Sequence, residues 1–469
     1  NTPDATFNDF YKADRTATIT VTERNFEAQD IVYLITNTDN VIPVISDWTE
    51  HKIIENPDAS YYTATVLYHA DGDYTFDISY SDLAKNAADA FAQHKFTMDQ
   101  TLPTISVSYD NTNAKNGNYY SAERTATITI NEHNFETSRI VVTGTATDNG
   151  ATTTFPATSA WSDNGDTHVA TINYSADAKY SFDIAYSDKA GNDAADYTVE
   201  EFFVDKTAPT LAISGVADKS ANNGEVIPVI TCSDTNYDAN GITLNMSGIN
   251  NGASKVNGSY ANIANGQTFT FVNFEKTKEN DDIYTLTAKV VDSAGNETTQ
   301  TITFSVNRFG SVYVFDNTLT SIEGKYVQNE IDVVLTETNV DSLKHDTIKL
   351  KMTKNGTASD LAEGKDYSVA ESGGNGQWSQ YKYTVNKSLF SNDGRYTVTL
   401  YSEDAAGNIN ENIDETKEAE ISFGVDKTAP VIVPADFESD KQYPVESKTV
   451  SVGIKDNLVL ETVKIYLND

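Results

Sequence analysis

The feature of this sequence that most restricts its fold is an internal repeat with a period of roughly 100–120 residues. The segment Arg15–Val21 (RTATITV) returns as Arg124–Ile130 (RTATITI), and the dipeptide Asn-Phe follows each copy. A period of this length is too long for a solenoid and is typical of separate domains in series. The chain length alone predicts roughly three to five domains.

Two pentapeptide motifs extend the repeat along the whole chain. Asp-x-Ala-Gly-Asn occurs at Asp188–Asn192, Asp292–Asn296 and Asp404–Asn408, with a degraded copy at Asp82–Asn86. Asp-Lys-Thr-Ala-Pro occurs at Asp205–Pro209 and Asp426–Pro430, with a variant at Asp99–Pro103. The motifs predict four repeats and a partial fifth, at residues 1–99, 100–205, 206–306, 307–426 and 427–469. We expect the first repeat to lack its first strand, and the chain to be a piece of a longer protein.

Apolar and polar residues alternate within each repeat, which predicts antiparallel strands with one buried face. A Tyr opens one such strand in every repeat, shortly after a turn, at Tyr74, Tyr180, Tyr284 and Tyr396. This placement is typical of the tyrosine corner of an immunoglobulin-like sandwich, where the hydroxyl bonds a nearby backbone group. No stretch of comparable length has a helical period. The predicted fold is all-β, with tandem immunoglobulin-like β-sandwich domains in an elongated rod.

Composition excludes several functions. The chain has 33 Lys+Arg against 69 Asp+Glu, a net charge of −36, which opposes electrostatic binding to nucleic acid or to an anionic membrane. No apolar run approaches the ~18 residues of a membrane helix, so we expect no membrane insertion. The single Cys232 rules out an intrachain disulfide and is expected to be a small buried hydrophobe. The six His residues do not recur in register, and we predict no enzyme.

The repeated pairing of the two pentapeptides resembles the bacterial immunoglobulin-like (Big) domains of large surface proteins. The resemblance covers the whole chain and implies export, a location at the cell surface or cell wall of a bacterium, and a role as an adhesin or spacer. We therefore predict an adhesin-type repeat region, a monomeric rod that binds a host protein or glycoprotein, with an immunoglobulin as one candidate. A fold of this kind does not by itself fix a ligand.

Two alternative functions remain. The chain is a passive stalk that displays an adhesive or catalytic module located elsewhere, or its repeats are accessory carbohydrate-binding domains. The second alternative requires an exposed aromatic platform at Trp48, Trp161 or Trp378. We expect these Trp side chains to pack against the sandwich instead.

An acidic motif follows the second strand of each repeat, as an acid, any residue and then Asn. In an immunoglobulin-like sandwich this loop lies at the same end as the Asp-x-Ala-Gly-Asn loop and the incoming linker. Carboxylate and amide oxygens are the donors that Ca²⁺ prefers. The candidate calcium ligands at the domain junctions are Asp99, Glu132, Asp188 and Asn192; Asp205, Asp234, Asp292 and Asn296; and Glu337, Asp404 and Asn408.

Turn geometry alone is the competing interpretation, because Asp, Gly and Asn are also the residues that tight turns require. The linker at Asn307 separates the two hypotheses, since it lacks both the acid and the Pro. If calcium depends on the linker Asp, this junction is expected to be empty or weaker, and more flexible.

Overall fold

The computed structural model describes residues 8–250, 263–434, 436 and 438–466. The chain forms two compact units, the first comprising residues up to Ala208 with Val291–Asn296, and the second comprising Pro209–Val290 and the residues from Glu297 onward. Among the described residues the α-helix is limited to α1 (Asn317–Ile322). Single 3₁₀ turns occupy Ala28–Asp30, Pro57–Ala59, Thr137–Arg139, His345–Thr347, Lys387–Phe390 and Glu415–Lys417. The all-β prediction is confirmed.

The first unit contains two sandwiches. The strands of the first repeat are β1 (Phe10–Tyr11), β2 (Arg15–Thr22), β3 (Ile31–Asn37), β4 (Val44–Ile45), β5 (Thr49–His51), β6 (Tyr61–Tyr68), β7 (Gly72–Tyr80) and β8 (His94–Met98). Those of the second are β9 (Thr104–Tyr109), β10 (Tyr119–Tyr120), β11 (Arg124–Asn131), β12 (Ile140–Asp148), β13 (Ala151–Thr152), β14 (Ser162–Asn164), β15 (Thr167–Tyr174), β16 (Ala178–Tyr186) and β17 (Glu200–Val204).

The two repeats share one topology. In the second repeat one sheet has the order β14-β15-β11-β9 and the other β10-β17-β16-β12-β13. In the first repeat the sheets are β2-β6-β4, with β5 also on β6, and β1-β8-β7-β3. Neighbouring strands are antiparallel except for β1 on β8 and β10 on β17, which are parallel. Among the described residues, the first repeat therefore has counterparts of the long strands of the second repeat but none of β9 or of β13.

The second unit continues the pattern. Its third-repeat strands are β18 (Thr210–Ser214), β19 (Ala221–Asn222), β20 (Val229–Ser233), β21 (Ile242–Gly248), β22 (Thr268–Thr270), β23 (Asp282–Val291) and β24 (Glu297–Val306). The fourth repeat has β25 (Val312–Phe315), β26 (Tyr326–Val327), β27 (Val333–Asn339), β28 (Lys349–Lys354), β29 (Thr357–Asp360), β30 (Tyr367–Ser372), β31 (Ser379–Val385), β32 (Gly394–Glu403), β33 (Ile409–Glu411) and β34 (Ile421–Val425). The hairpin of β35 (Val431–Pro434) and β36 (Val452–Lys455) follows.

The sheets of this unit pair into sandwiches in the same way. The third repeat has β18-β20-β22 and β19-β24-β23-β21, and the fourth has β25-β27-β31-β30 and β26-β34-β32-β28-β29, with β33 on β32. Each repeat has its own hydrophobic cluster between its two sheets. Cys232 is buried in the third of these clusters, as predicted.

Every predicted tyrosine corner is present. Each corner hydroxyl donates to the carbonyl four residues earlier at 2.6–3.0 Å, from Tyr74 to Ala70, Tyr180 to Ala176, Tyr284 to Asn280 and Tyr396 to Asn392. The alternating residues that follow each corner point into the core, and Tyr284, Leu286, Ala288 and Val290 are fully buried. Each corner fixes the turn that precedes its strand. This turn lies at the end of the sandwich from which the chain continues into the next repeat.

Candidate functional site at the domain junctions

The Asp-x-Ala-Gly-Asn turn is the first part of the site. At Asp188–Asn192 the backbone N–H and the side-chain amide of Asn192 donate to the two oxygens of Asp188, both at 2.8 Å. Gly191 has a φ of 86°, a left-handed conformation that favours Gly. The Asn192 amide also donates to the carbonyl of Asp99 at 2.8 Å. The turn therefore holds the incoming linker as well as itself.

Three carboxylates meet beside this turn. One oxygen each of Asp99, Glu132 and Asp188 lies within 4.8 Å of the others, although the residues are distant in sequence. The three residues are buried, with exposed fractions of 4%, 5% and 0%. None of them takes part in an ion pair within the described part of the chain. The prediction that these loops converge is confirmed for this junction.

Burial and crowding change the protonation of this cluster. Burial raises the pKa of Glu132 to about 7, and the charges of Asp99 and Asp188 add to the effect. The pKa of Asp99 is raised for the same reasons, burial first. Asn134 partly compensates, because its N–H donates to Glu132 at 2.6 Å and its amide donates to Asp99 at 2.8 Å. A set of oxygen donors with excess negative charge fits a hard divalent cation such as Ca²⁺.

The turn of the third repeat repeats this arrangement. Asn296 donates its N–H and its amide to the two oxygens of Asp292, both at 2.9 Å, and its amide donates to the carbonyl of Asp205 at 2.8 Å. Asp205 and Asp292 are each 2% exposed. Asp234 belongs to the second unit, where it accepts the N–H of Asn236 at 2.7 Å. The acid-x-Asn motif therefore makes the same local bond in both repeats.

The junction at Asn307 has the same hydrogen bond between turn and linker, but a hydrogen-bond donor replaces the linker carboxylate. Asn408 donates to the carbonyl of Asn307 at 2.7 Å, as Asn192 does to Asp99. The Asn307 side-chain amide then donates to Asp404 at 3.0 Å, to Asn339 at 2.8 Å and to Asp341 at 2.9 Å. An N–H₂ group, which is a donor, occupies the position where the first junction has a carboxylate. The acceptors here are satisfied by the protein itself.

Glu337, the other acid in the predicted ligand set of this junction, has a separate environment. Its carboxylate accepts hydrogen bonds from four hydroxyl groups, those of Ser311 and Ser402 at 2.6 Å, Tyr383 at 2.9 Å and Tyr313 at 3.4 Å. Burial raises the pKa of Glu337, and these hydroxyls oppose that effect. Glu337, Asp404 and Asn408 thus lie at one junction, as predicted, but hydrogen bonds already surround the carboxylates. This arrangement favours hydrogen bonding over ion binding.

A second group of acids fixes the linkers, and sequence reasoning missed it. An Asp three residues before each corner Tyr accepts the backbone N–H of the residue after the linker acid or Asn. The pairs are Asp71 with Gln100 at 2.8 Å, Asp177 with Lys206 at 3.1 Å, Asp281 with Arg308 at 2.9 Å and Asp393 with Lys427 at 2.8 Å. We call these four residues the linker clamps. The constant spacing Asp-x-x-Tyr in all four repeats is the sequence signal that could have found them.

The linker at Asn307 is held by direct hydrogen bonds although it lacks the acid and the Pro, and its greater flexibility stays a prediction. Asp281 accepts the N–H groups of Arg308, Phe309 and Gly310 at 2.8–3.2 Å. The indole N–H of Trp378 donates to Asp282 at 2.9 Å and ties the fourth repeat to the third. Direct hydrogen bonds between the two repeats therefore fix this junction.

The three Trp side chains are half-buried, as predicted. Trp48 packs on Phe26 with ring centroids 4.7 Å apart, and Trp161 packs on Phe135 at 5.7 Å. Trp378 makes the contact with Asp282 described above. Each ring is used inside its own unit, which weakens the carbohydrate-binding alternative.

Replacing a linker clamp is expected to loosen one linker without unfolding its sandwich. Asp177→Ala removes the acceptor of the Lys206 N–H and of the Thr207 hydroxyl, which donates at 2.6 Å. We expect a loss of about 1–2 kcal/mol in stability and faster amide exchange at these two residues. Asp196→Ala, at an exposed position, is the matched control. Unchanged exchange at Lys206 in Asp177→Ala would contradict the clamp.

The two facing sheets, the tyrosine corners and the short linkers define a series of immunoglobulin-like β-sandwich domains. The family described as "bacterial Ig-like domain (group 3)" matches residues 61–162 and 167–308, more than half of the chain. The chain belongs to this family. No curated protein sequence matches it.

Solved structures of tandem β-sandwich proteins are similar to the chain. A tetra-tandem repeat from the extending region of a large adhesion protein is 16% identical, with 89% of this chain and 97% of that one covered and a TM-score of 0.37. The I67–I69 I-band fragment of titin is 11% identical, with 69% and 98% covered and a TM-score of 0.32. A Ca²⁺-stabilised adhesin with which an Antarctic bacterium binds ice is 15% identical, with 90% and 97% covered and a TM-score of 0.22.

Among the described residues, α1 is six residues long, and no helix has the length and apolar character needed to cross a bilayer.

Proposed function

We propose that this chain is a non-enzymatic extension region of a bacterial surface protein, located outside the cell, which holds other parts of that protein at a distance. The observation that carries the proposal is the linker clamp, because each of the four repeats fixes the linker that follows it with the same Asp. The buried acids of the chain are likewise placed at the junctions. A region that transmits force along the chain depends on such junctions more than on a binding cleft.

We also propose that Ca²⁺ binds where the linker supplies a carboxylate. The ligands at the first junction are Asp99, Glu132 and Asp188, positioned by the Asn192 turn. Asp205 and Asp292, positioned by the Asn296 turn, are the equivalent residues one repeat later. The contrast with Asn307 supports this assignment, because the junction that lacks the acid supplies a hydrogen-bond donor in its place. A bound cation would neutralise the acids and link the loop, the turn and the linker.

Single-molecule extension of the whole chain tests both statements. We expect unfolding in separate steps, each releasing about 330–360 Å of extended chain for a repeat of roughly 100 residues, less the length of the folded repeat. Chelation with EDTA is expected to lower the force of some steps and leave others unchanged, because ligand binding stabilises only the folded state that binds it. One all-or-none step would contradict the extension function, whereas separate steps that ignore EDTA would contradict the calcium sites alone.

Capture of a host protein is the second candidate function. The observation that favours it is the enlarged fourth repeat, where β29 and β30 are longer than their counterparts β13 and β14 and β33 is added on β32. Loops carried on a rigid scaffold are common binding surfaces. Retention of a serum or mucus protein by the immobilised chain would support this function. Loss of that retention when residues 355–377 are replaced would assign the binding to the fourth repeat.

A further inference from the structure

The outer face of one sheet in the fourth repeat is basic, although the chain as a whole is acidic. The sheet has the order β26-β34-β32-β28-β29, and Leu350, Val398 and Leu400 of β28 and β32 are buried in the core. Successive side chains of a strand point to opposite faces, so the alternate residues point outwards. We call the outward side chains of residues 349–353 and 395–401 the basic face. Its three bases, Lys349, Lys351 and Arg395, are exposed.

Strand registers align this face with the equivalent face of the second repeat. Ala178 pairs with Val204, and Gly394 pairs with Val425, in each case just before the linker residue. These pairs align β16 with β32 and β17 with β34. The pairing of β12 with β16 and of β28 with β32 then aligns β12 with β28. The two faces can therefore be compared residue by residue.

The fourth repeat has more bases and fewer acids at the aligned positions. The aligned pairs, second repeat first, are Val141 and Lys349, Thr143 and Lys351, Lys179 and Arg395, Asp183 and Thr399, and Glu201 and Ser422. The second repeat has one base and two acids at these five positions, and its Lys179 forms an ion pair with Glu201 at 3.1 Å. The fourth repeat has three bases and no acid there. The charge of this face is thus reversed, in a chain with 33 Lys+Arg against 69 Asp+Glu.

Two of the three bases have no acid beside them. Among the described residues, neither Lys349 nor Arg395 takes part in an ion pair. Lys351 lies 3.8 Å from Asp360, whose side chain is 85% exposed, and an exposed pair of this kind contributes little stability. Asp360 of β29 and Glu411 of β33 lie at the rims of the face. An anion could therefore approach the bases without first breaking a strong ion pair.

Tyrosine rings position the two unpaired bases. The ammonium group of Lys349 lies 5.7 Å from the centroid of the Tyr401 ring, and the guanidinium of Arg395 lies 5.4 Å from that of Tyr326. Arg395 also donates to the Tyr326 hydroxyl. The Tyr326 ring in turn lies against Gly424, where a Cβ would overlap it. A ring attracts a cation without neutralising its charge, so both bases remain available to an anion.

We propose that the basic face binds an acidic polysaccharide through the carboxylate or sulfate groups of the sugar chain. Lysine and arginine make charge-assisted hydrogen bonds with such groups. The bases extend over about 20 Å of paired strand, from Lys349 at one end to Arg395 at the other, which suits an extended polymer. Thr397 and Thr399 lie between the two ends, and their hydroxyls can bond the hydroxyls of the sugar.

Other anionic partners fit this face less well. Protein interfaces have an apolar centre, whereas the side chains of the basic face are Lys, Arg, Thr and Tyr. Nucleic acids and anionic membranes carry many charges over a wide area, and the net charge of −36 on the chain opposes their approach. A single polysaccharide can lie along the bases without covering the acidic surface around them. The proposal adds a ligand to the extension function and depends neither on that function nor on calcium.

Calorimetric titration of the whole chain with heparin and with hyaluronan tests the proposal. Heparin carries sulfate and carboxylate groups and hyaluronan carries carboxylates alone, so the pair identifies the group that binds. EDTA is present, so that no divalent cation joins acids of the protein to acids of the polymer. We expect at least one polymer to bind at about 50 mM salt, and to bind about tenfold or more weakly at about 200 mM, whereas uncharged dextran should not bind. No binding of either acidic polymer, or equally tight binding of polyglutamate, would overturn the proposal.

The double substitution Lys349→Thr with Lys351→Thr assigns the binding to the basic face. Both side chains are exposed, and Thr is well suited to a strand, so the fold should persist. We expect the affinity to fall about tenfold or more, and the slope of log affinity against log salt to fall by about two. Lys365→Thr with Lys382→Thr removes the same charge from exposed positions elsewhere in the fourth repeat and should have little effect. If both double variants weaken binding equally, the basic face is not the binding site.

Discussion

Asn307→Asp is expected to convert a junction that needs no ion into one that requires a cation. The substitution replaces an N–H₂ donor with a third carboxylate beside Asp341 and Asp404, in a site where Asn307 is fully buried. In EDTA we expect a loss of about 3–5 kcal/mol in stability, the cost of an uncompensated buried charge. Millimolar Ca²⁺ should restore most of this loss, because the variant recreates the carboxylate linker of the first junction.

Urea unfolding in EDTA and in Ca²⁺ measures both effects. Asn375→Asp, the same change at an exposed turn of the same repeat, is the matched control and should be nearly neutral in both buffers. Within the described residues, the Oδ1 of Asn307 is buried and accepts no hydrogen bond, so a carboxylate oxygen in that place would find no donor. If Asn307→Asp were as stable as the parent protein in EDTA, the Asn307 amide would not be needed as a hydrogen-bond donor to Asp341 and Asp404.

The cation-free protein is expected to lose stability as the pH rises from about 4.5 to about 7. Burial, with Asp99 and Asp188 nearby, raises the pKa of Glu132 from its ordinary 4.5 to about 7 in the folded state. Between these values the folded state binds more protons than the unfolded state, so the free energy of unfolding falls with pH. The loss is roughly 3 kcal/mol and is complete above the folded pKa. Calcium should offset it there.

Glu132→Gln isolates this contribution. Gln keeps an oxygen that accepts the N–H of Asn134 but cannot ionise. We expect the variant to lack the fall between pH 5 and pH 8 in EDTA, and to respond less to Ca²⁺ at pH 8. The hydrogen bond to Asp166 raises the pKa of His133, and because His133 is present in both proteins, most of its contribution cancels in the difference. Parallel curves for the two proteins would reject the assignment.

The fold could be predicted because its signals are local. Alternation identified the faces of the strands, and the turn before Tyr180 identified the corner, since the hydroxyl bonds a carbonyl only four residues away. The meeting of Asp99, Glu132 and Asp188 needed the sandwich topology as well, and the repeat supplied it.

What sequence reasoning missed depends on distant partners. The sequence predicted the turn before Tyr180, but it did not indicate that Asp177 in this turn accepts the N–H of Lys206, because only folding brings these two residues together. The hydroxyl groups around Glu337 come from Ser311, Tyr383 and Ser402, on three separate strands, and no spacing indicates them. The contacts of Asn307 could not be predicted from the absence of an acid, because an amide donates hydrogen bonds where a carboxylate accepts them.

The linker clamps have a consequence for how such genes lengthen. At the first junction Asp71 of one repeat holds Gln100 and Thr101, while Asn192 of the next holds the carbonyl of Asp99. The linker pentapeptide is thus hydrogen-bonded by both neighbouring repeats. Recombination inside it would separate the linker from one of the two repeats that hold it. Copies inserted with breakpoints at exposed hairpins, such as Asn149–Gly150, would keep every linker with both of its holders. Selection during duplication should therefore favour crossovers within domains over crossovers between them.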